Sequence, residues 1–407
     1  MIGRGVAGIG ALMLAWPHLV RAQPPGSPSF HDAVAAAWAR LPQRQAFAAR
    51  QGVAAAQYAA GGALLPNAPF ASGSYVNDKA GSNEHYITYQ GQLGTPVWLP
   101  GEGTATQNAA LARSATVSAD LEAAHLALAV QVLDLTAQAN FAANALDVAR
   151  RRLAVAQALA TDLAHRLQVG ESSDSDALAA DADAAGASVT LSSAEAQLAT
   201  ARAALAAVTG EEAIPRLAAP TPPLLLVGAL TATHPELVAA ERAVAAAQSQ
   251  ERLTRIENRD SPTVGLEVIH EVQGRGQPYD TRVGVVFRLP FATEARNAPL
   301  RAAAQEAVTQ AAVRVALAQR GVVAGVRQAE ATLAGAERGS AAAARAATDL
   351  DRRRGQIERA WRLGEMPLIE VVRSDALAFD AELARGRALT ERDAARQRLR
   401  LAQGILP

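Results

Sequence analysis

The densest set of side chains able to hold a hard cation is Asp174, Asp176, Asp181 and Asp183, four carboxylates within ten residues. Oxygen ligands of this type suit calcium or magnesium. Their place at the start of a predicted helix gives them a plainer role, as a cap and first-turn acids on a solvated face. Other chemistry is excluded more directly. Lys79 is the sole lysine, so a phosphate-binding P-loop and a Schiff-base mechanism both lack their essential amine. Gly101-Glu102-Gly103 and Gly274-Arg275-Gly276 lack the third glycine of a dinucleotide fingerprint, and His270-Glu271 has no second histidine four positions after the first. The seven histidines show no pair at zinc-ligand spacing. No catalytic constellation, cofactor site or metal site emerges, and the chain reads as a non-enzyme.

Of 407 residues 50% are apolar and only 4% aromatic, much of the apolar share being alanine. Such a chain favours helices packed closely through small side chains. Residues 1–22 combine Arg4, an apolar run from Val6 to Trp16, and Val20-Arg21-Ala22 before Gln23-Pro24-Pro25, the pattern of a secretory signal peptide. Beyond it the longest apolar run, Leu224 to Leu230, is far short of a membrane helix. With no cysteine, disulfides and thiolate chemistry are absent. The 39 basic and 39 acidic residues cancel, so the chain has no electrostatic claim on nucleic acid.

A duplication organises the rest. Val53-Ala-Ala-Ala-Gln57 recurs as Val244-Ala-Ala-Ala-Gln248, Pro69 as Pro262, Asn108 as Asn297, and Val169-Gly170-Glu171 as Leu363-Gly364-Glu365. Four matches in one order at nearly constant offset, about 190 residues, argue for a repeated unit. The units fall at 23–214 and 228–407, joined by a Pro-rich linker at 215–227. Each reads as helix, β-hairpin, long helix, turn and return helix, with the hairpins at about 68–98 and 263–291.

In the hairpins the period changes to two. Ile87, Tyr89, Gly91, Leu93, Thr95 and Val97 oppose Thr88, Gln90 and Gln92. Val264, Leu266, Val268, His270 and Val272 oppose Gly265, Glu267, Ile269 and Glu271, while Thr281, Val283, Val285, Phe287 and Leu289 oppose Asp280, Arg282, Gly284 and Arg288. Strands of this length suit a tilted membrane crossing, in which Gln90, Gln92, Glu267, Arg282 and Arg288 face water and the other parity faces lipid. A half-buried sheet of a soluble protein shows the same alternation. Four strands cannot close a barrel; three copies would supply twelve and leave an open lumen.

The stretches at about 102–169 and 297–363 read as helices of nearly 70 residues, on the order of 100 Å long. Leu121, Leu128 and Leu135, and then Leu146, Leu153, Ala160 and Leu167, recur at coiled-coil spacing. Gly321, Gly325, Gly335 and Gly339 predict a break or bend in the second long helix. Return helices follow at about 173–209 and 367–404.

This plan, with the phrase RLGEMPLIEVVRSDALAFDAEL from Arg362 to Leu383, resembles the TolC-type outer-membrane efflux proteins over essentially the whole mature chain. The Trp98-Leu99-Pro100-Gly101 stretch is similar to the branch paired with heavy-metal exporters (CzcC-like). The resemblance implies a mainly α protein with four strands per chain. Three copies would complete a twelve-stranded barrel in the cell outer membrane and a helical tunnel through the periplasm. It implies a periplasmic adaptor and an inner-membrane pump of the resistance-nodulation-division type as partners, with metal cations among the possible cargoes. By resemblance, Glu370, Arg373 and Asp176 sit at the periplasmic aperture, where Arg373 could pair with Glu370 and cancel its charge. A plainer role for both acids is helix N-terminal stabilisation. Val169, Gly170 and Glu171, with Leu363, Gly364 and Glu365, become adaptor-docking tips in which glutamate stands where the family often has an apolar residue. The competing reading is a periplasmic or secreted coiled-coil interaction or adaptor protein without a membrane barrel. That reading would call for a longer run of β structure and a lipoyl-like segment, neither of which is evident.

Overall fold

A computed structural model describes residues 28–217 and 233–407, so the signal-peptide expectation lies outside the described residues, as does most of the expected linker. The first unit opens with α1, Phe30–Arg40. Here Ser29 Oγ accepts from the Asp32 amide at 3.2 Å while the Asp32 carboxylate accepts from the Ser29 amide at 3.0 Å. That reciprocal cap satisfies two amide donors at the helix start. Pro42 interrupts the run, and α2 continues over Gln43–Gly61. Strands β1, Phe70–Asn77, and β2, Ile87–Pro96, precede α3, Glu102–Gln168, and α4, Asp174–Thr209. The second unit repeats the order with α5, Pro235–Ile256, β3, Thr263–Val272, β4, Asp280–Arg288, α6, Glu294–Arg362, and α7, Leu368–Ala402.

The four strands form one antiparallel sheet in the order β1-β2-β3-β4, leaving the outer edges of β1 and β4 unpaired. Where α2 ends against the start of α3 the backbones nearly touch. A Cβ on Gly103 would lie 2.7 Å from the Gly61 carbonyl oxygen, a contact only glycine permits. Away from the sheet the long helices form a layer. In one half α2 packs on α3, and α5 on both α3 and α6; in the other, α4 packs on α3, α3 on α7, and α7 on α6.

The α3–α4 seam is built largely from alanine. Ala142, Ala149, Ala156 and Leu163 recur at sevens on α3 and are buried, as are Ala180, Ala187 and Ala194 on α4. Small residues at these positions let the axes approach closely. Of the leucines expected at the seam, Leu128 and Leu146 are buried, while Leu121, Leu135, Leu153 and Leu167 are half-buried. The true seam therefore runs beside the expected one. A larger core cluster, including Phe30, Val34, Leu126, Val132, Leu133 and Leu401, clamps α1 and the end of α7 onto α3.

Three expectations need correction. The break expected at Gly321, Gly325, Gly335 and Gly339 is absent, since α6 is helical through all four over its 69 residues. Each glycine costs at most about 1 kcal/mol, which flanking packing on α5 and α7 offsets. The region expected as linker begins inside the fold: Pro215 and Leu217 are buried, and the Arg216 amide donates to the Pro28 carbonyl at 3.0 Å. Finally, α3 does contain an 18-residue stretch of mean hydropathy 1.2, apolar enough to cross a membrane by composition. Half of that stretch is buried inside the bundle, so its hydropathy reflects alanine packing.

Candidate functional site

Register decides which residues share a face of the sheet. Tyr75, Tyr89, His270 and Thr281 lie directly across from one another in a row. The next row is Gly73, Gly91, Val268 and Val283, then Ala71, Leu93, Leu266 and Val285, then Thr95, Val264 and Phe287. Directly paired residues point to one side, so this face is apolar apart from Thr95 and the row that ends in His270 and Thr281. The other carries Ser72, Ser74, Gln90, Gln92, Glu267 and Arg282, with Arg288 opposite Thr263 at its far end. All five residues expected to face water thus share one side.

Burial on the two central strands is the reverse of a soluble sheet. Tyr89, Leu93, Leu266 and Val268 are exposed, whereas Thr88, Gln90, Gln92, Glu267 and Glu271 are buried or half-buried. On the edge strand Val283 and Phe287 are 72% and 73% exposed. Each such side chain would gain about 1.5–3 kcal/mol from full removal from water, so a soluble sheet would turn them inward. Ten residues at about 3.3 Å each, tilted near 40°, reach about 25 Å, the height of a membrane barrel's apolar band.

The polar face is internally bonded. The Gln90 amide donates to Glu267 Oε1, and Ser74 Oγ donates to Gln90 Oε1 at 3.4 Å. Arg282 bridges Glu271 and Asp280, the latter at 3.2 Å. Arg288 makes no ion pair among the described residues. On the apolar face the Tyr75 and Tyr89 rings lie 5.1 Å apart, and Tyr279 stacks on His270 at 4.6 Å, while His270 Nδ1 is 2.8 Å from Thr281 Oγ1. Rings with one apolar and one polar end suit the edge of a membrane.

At the opposite end the two interhelical turns match in detail. Gly170 and Gly364 have φ of +79° and +77°, which no residue with a Cβ adopts without strain. In each, the following glutamate's amide donates back into the helix end, Glu171 to the Arg166 carbonyl at 2.8 Å and Glu365 to the Ala360 carbonyl at 2.9 Å. Val169 and Leu363 project from these turns at 58% and 75% exposure. Glu370 accepts from Arg373 at 3.2 Å, so the pairing envisaged from sequence is present. Asp176 is not joined to that pair; its amide donates to the capping Ser173 Oγ at 3.1 Å, and its carboxylate sits in the first turn of α4.

One acid near the turns has no counterpart in the sequence reading. Asp375 lies in a cavity of about 600 Å³ between α3, α6 and α7, beside Leu159, Arg166, Arg354, Glu358 and Trp361. Burial pushes its carboxyl up to about 6, with Arg354 opposing and Glu358 and Asp183 reinforcing. The neighbouring charges are engaged elsewhere, Arg166 with Asp162 at 3.0 Å and Arg354 with Asp351 at 2.9 Å. Only its spacing, four residues after the buried Val371, hinted at an inward position.

The fold is thus one antiparallel sheet with a largely apolar, exposed face set on a bundle of helices on the order of 100 Å long. The outer membrane channel MtrE of Neisseria gonorrhoeae, in its open state, is similar at 20% identity and a TM-score of 0.72, over 93% of this chain and 89% of that one. The outer membrane protein VceC of Vibrio cholerae is similar at 16% identity and a TM-score of 0.70, over 92% and 96% of the two chains. The outer membrane channel CmeC of Campylobacter jejuni is similar at 13% identity and a TM-score of 0.73, over 99% and 94%. The chain has the fold of these channels. No family model and no curated protein matches it.

Proposed function

We propose that the protein is the outer-membrane channel of a tripartite efflux system, a passive export duct. Three copies close a twelve-stranded barrel in the outer membrane, and their long helices form the wall of a tunnel through the periplasm. The turns at Gly170 and Gly364 meet a periplasmic adaptor, and an inner-membrane pump of the resistance-nodulation-division type supplies the energy. The observation that carries this reading is the sheet, which exposes its apolar side, shelters its polar side along the two central strands and leaves both edges unpaired. A soluble coiled-coil adaptor would have no use for that arrangement.

The cargo reading is narrower than a cation filter. Glu370 is held by Arg373, and Glu271 and Asp280 by Arg282, while Glu267 and Asp176, without a cationic partner among the described residues, are offset in part by the unpaired Arg288. This favours a duct of weak charge preference over one dedicated to metal cations. The test is fractionation of the full chain, followed by sizing in mild detergent and planar-bilayer recording. Recovery with outer membranes as a conducting trimer is expected; recovery as a soluble monomer would refute the proposal.

A further inference from the structure

The four-helix half of the layer ends in two edge helices, α4 on one side and α6 on the other, and they share no packed seam within the copy. Their free surfaces carry opposite charge. No lysine or arginine occurs between Arg166 and Arg202, while Glu171, Asp174, Asp176, Asp181, Asp183 and Glu195 all fall there. On α6, from Arg338 to Arg362, seven arginines face three acids.

The periodicity sharpens this contrast. Asp174, Asp181, Ser188 and Glu195 repeat at sevens on α4, and Arg338, Arg345, Arg352 and Arg359 repeat at sevens on α6. All eight residues are exposed. None of the three acids makes an ion pair among the described residues, and of the arginines only Arg352 has a partner, Asp349, at a loose 3.8 Å. Asp183, which is not in the series, is the acid turned inward to Arg152 at 3.5 Å. The arginine stripe stands two positions, about 200° of helix rotation, from the buried Ser340 and Ala347, and so points away from α7. On α4 the acids flank Leu178 and Val189, which are 61% and 72% exposed and lie off the alanine seam. An uncovered apolar strip with charges along its side is the arrangement of a helix awaiting a partner helix.

The two series also match in height. Counted from the turn glycines, Asp174, Asp181, Ser188 and Glu195 stand 4, 11, 18 and 25 residues after Gly170. Arg359, Arg352, Arg345 and Arg338 stand 5, 12, 19 and 26 residues before Gly364. The offset is one residue at every rung, about 1.5 Å of rise, well within the reach of an arginine. Because α4 climbs from its turn and α6 descends to its own, the two would run antiparallel with rungs aligned.

We propose that α4 of one copy docks against α6 of the next through this ladder, pairing Asp174 with Arg359, Asp181 with Arg352 and Glu195 with Arg338, with Ser188 facing Arg345. The inference rests on the multi-copy channel reading and adds which surfaces join and in what register. It agrees with the sheet, where closing a ring likewise brings β1, from the first unit, against β4 of a neighbour, from the second. The joint between copies is ionic where the seam inside a copy is alanine, so it answers to salt. Charges of this kind are screened over about 10 Å at 0.1 M ionic strength and about 3 Å at 1 M.

The absence of native cysteine makes the test direct. The full chain carrying Asp181→Cys and Arg352→Cys, extracted in mild detergent, is treated with a short bifunctional thiol reagent and resolved under denaturing conditions. Covalent dimers and trimers are expected, while Asp181→Cys with Arg338→Cys, two heptads out of register, should give few. A particle that sizes as a trimer yet yields no covalent multimer overturns the ladder and leaves the channel reading standing; a particle that sizes as a monomer overturns both. Equal cross-linking of the misregistered pair overturns the register. In parallel, Arg352→Glu should lower the salt concentration at which the trimer dissociates, and Asp181→Arg with Arg352→Asp should restore it. Unchanged salt tolerance in the single reversal overturns the ladder even where a cysteine variant fails to assemble.

Discussion

Val268 sits in one of the two inner rows of the apolar face, between Gly91 and Val283, with the tyrosine row on one side and the row of Leu93, Leu266 and Val285 on the other. Its side chain is 44% exposed, and its strand neighbour Glu267 points to the opposite face. Replacement by arginine therefore separates the two kinds of sheet. Near the midplane of a bilayer a lipid-facing arginine costs about 2–4 kcal/mol per copy, which in a trimer amounts to about 6–12 kcal/mol. In a water-facing sheet the same change at a half-open surface position stays within about 0.5 kcal/mol. Gln92→Arg is the control, since Gln92 lies directly opposite Glu267 on the polar face and the added charge gains an acidic neighbour. The assay is urea unfolding of protein reconstituted in lipid vesicles, with the folded fraction read from its mobility on unheated gels. A Val268→Arg cost below about 0.5 kcal/mol, or one no larger than that of Gln92→Arg, would refute the assignment of faces.

Three further outcomes follow from particular contacts. Arg373→Gln releases Glu370 from its 3.2 Å partner and Glu370→Gln leaves Arg373 unopposed, so bilayer reversal potentials should shift toward cations in the first and toward anions in the second; no shift in either would remove the pair from the conducting path. Asp375 has a folded-state pKa raised to about 6 from 3.8, so its protonated form is favoured by folding, and its contribution is full below pH 3.8 and lost as pH rises through 6. Asp375→Asn should flatten that slope and raise stability at pH 8 by about 1 kcal/mol, a figure reduced for partial exposure and checked by denaturant midpoints at pH 4 and 8. Gly364→Ala, at φ +77°, should cost about 1–2 kcal/mol, whereas Gly321→Ala, helical and with open space around it, should gain up to about 1 kcal/mol. Thermal midpoints moving in the same direction would count against that contrast.

The strands were legible because alternation over Val264 to Val272 and Thr281 to Leu289 is long enough to fix parity, and parity fixes which side chains travel together. What alternation lacks is any mark of which side is sheltered; that depended on the pairing of β2 with β3 and on the fold around them. The helices were legible as lengths but not as seams. In an alanine-rich sequence several heptad tracks look alike, and the leucine track at Leu121, Leu135 and Leu153 proved to be half-buried beside an alanine track that is fully buried. Glycine was over-read for a similar reason, since local propensity at Gly335 and Gly339 is outweighed by packing along the whole of α6. The paired turns at Gly170 and Gly364 could be placed from sequence because a left-handed residue needs glycine there and a helix must end where it occurs. Asp375 could not be singled out, since its environment is assembled from three helices far apart in the chain.

The sheet has two separate deficits, and no single surrounding cures both. Leu93, Leu266, Val283 and Phe287 need an apolar medium, while the outer edges of β1 and β4 need hydrogen-bonding partners. Lipid covers the face but offers the edges nothing, and each backbone group left unsatisfied in hydrocarbon costs several kcal/mol. Neighbouring copies satisfy the edges but, in water, would gather the apolar faces into a continuous exposed belt. The closed ring inside a membrane proposed above removes both penalties together. Insertion and association are therefore coupled: a change that weakens the joint between copies, whether at β1 and β4 or among the charged helices below, should lower the amount of folded protein held in the membrane as well as its oligomeric state.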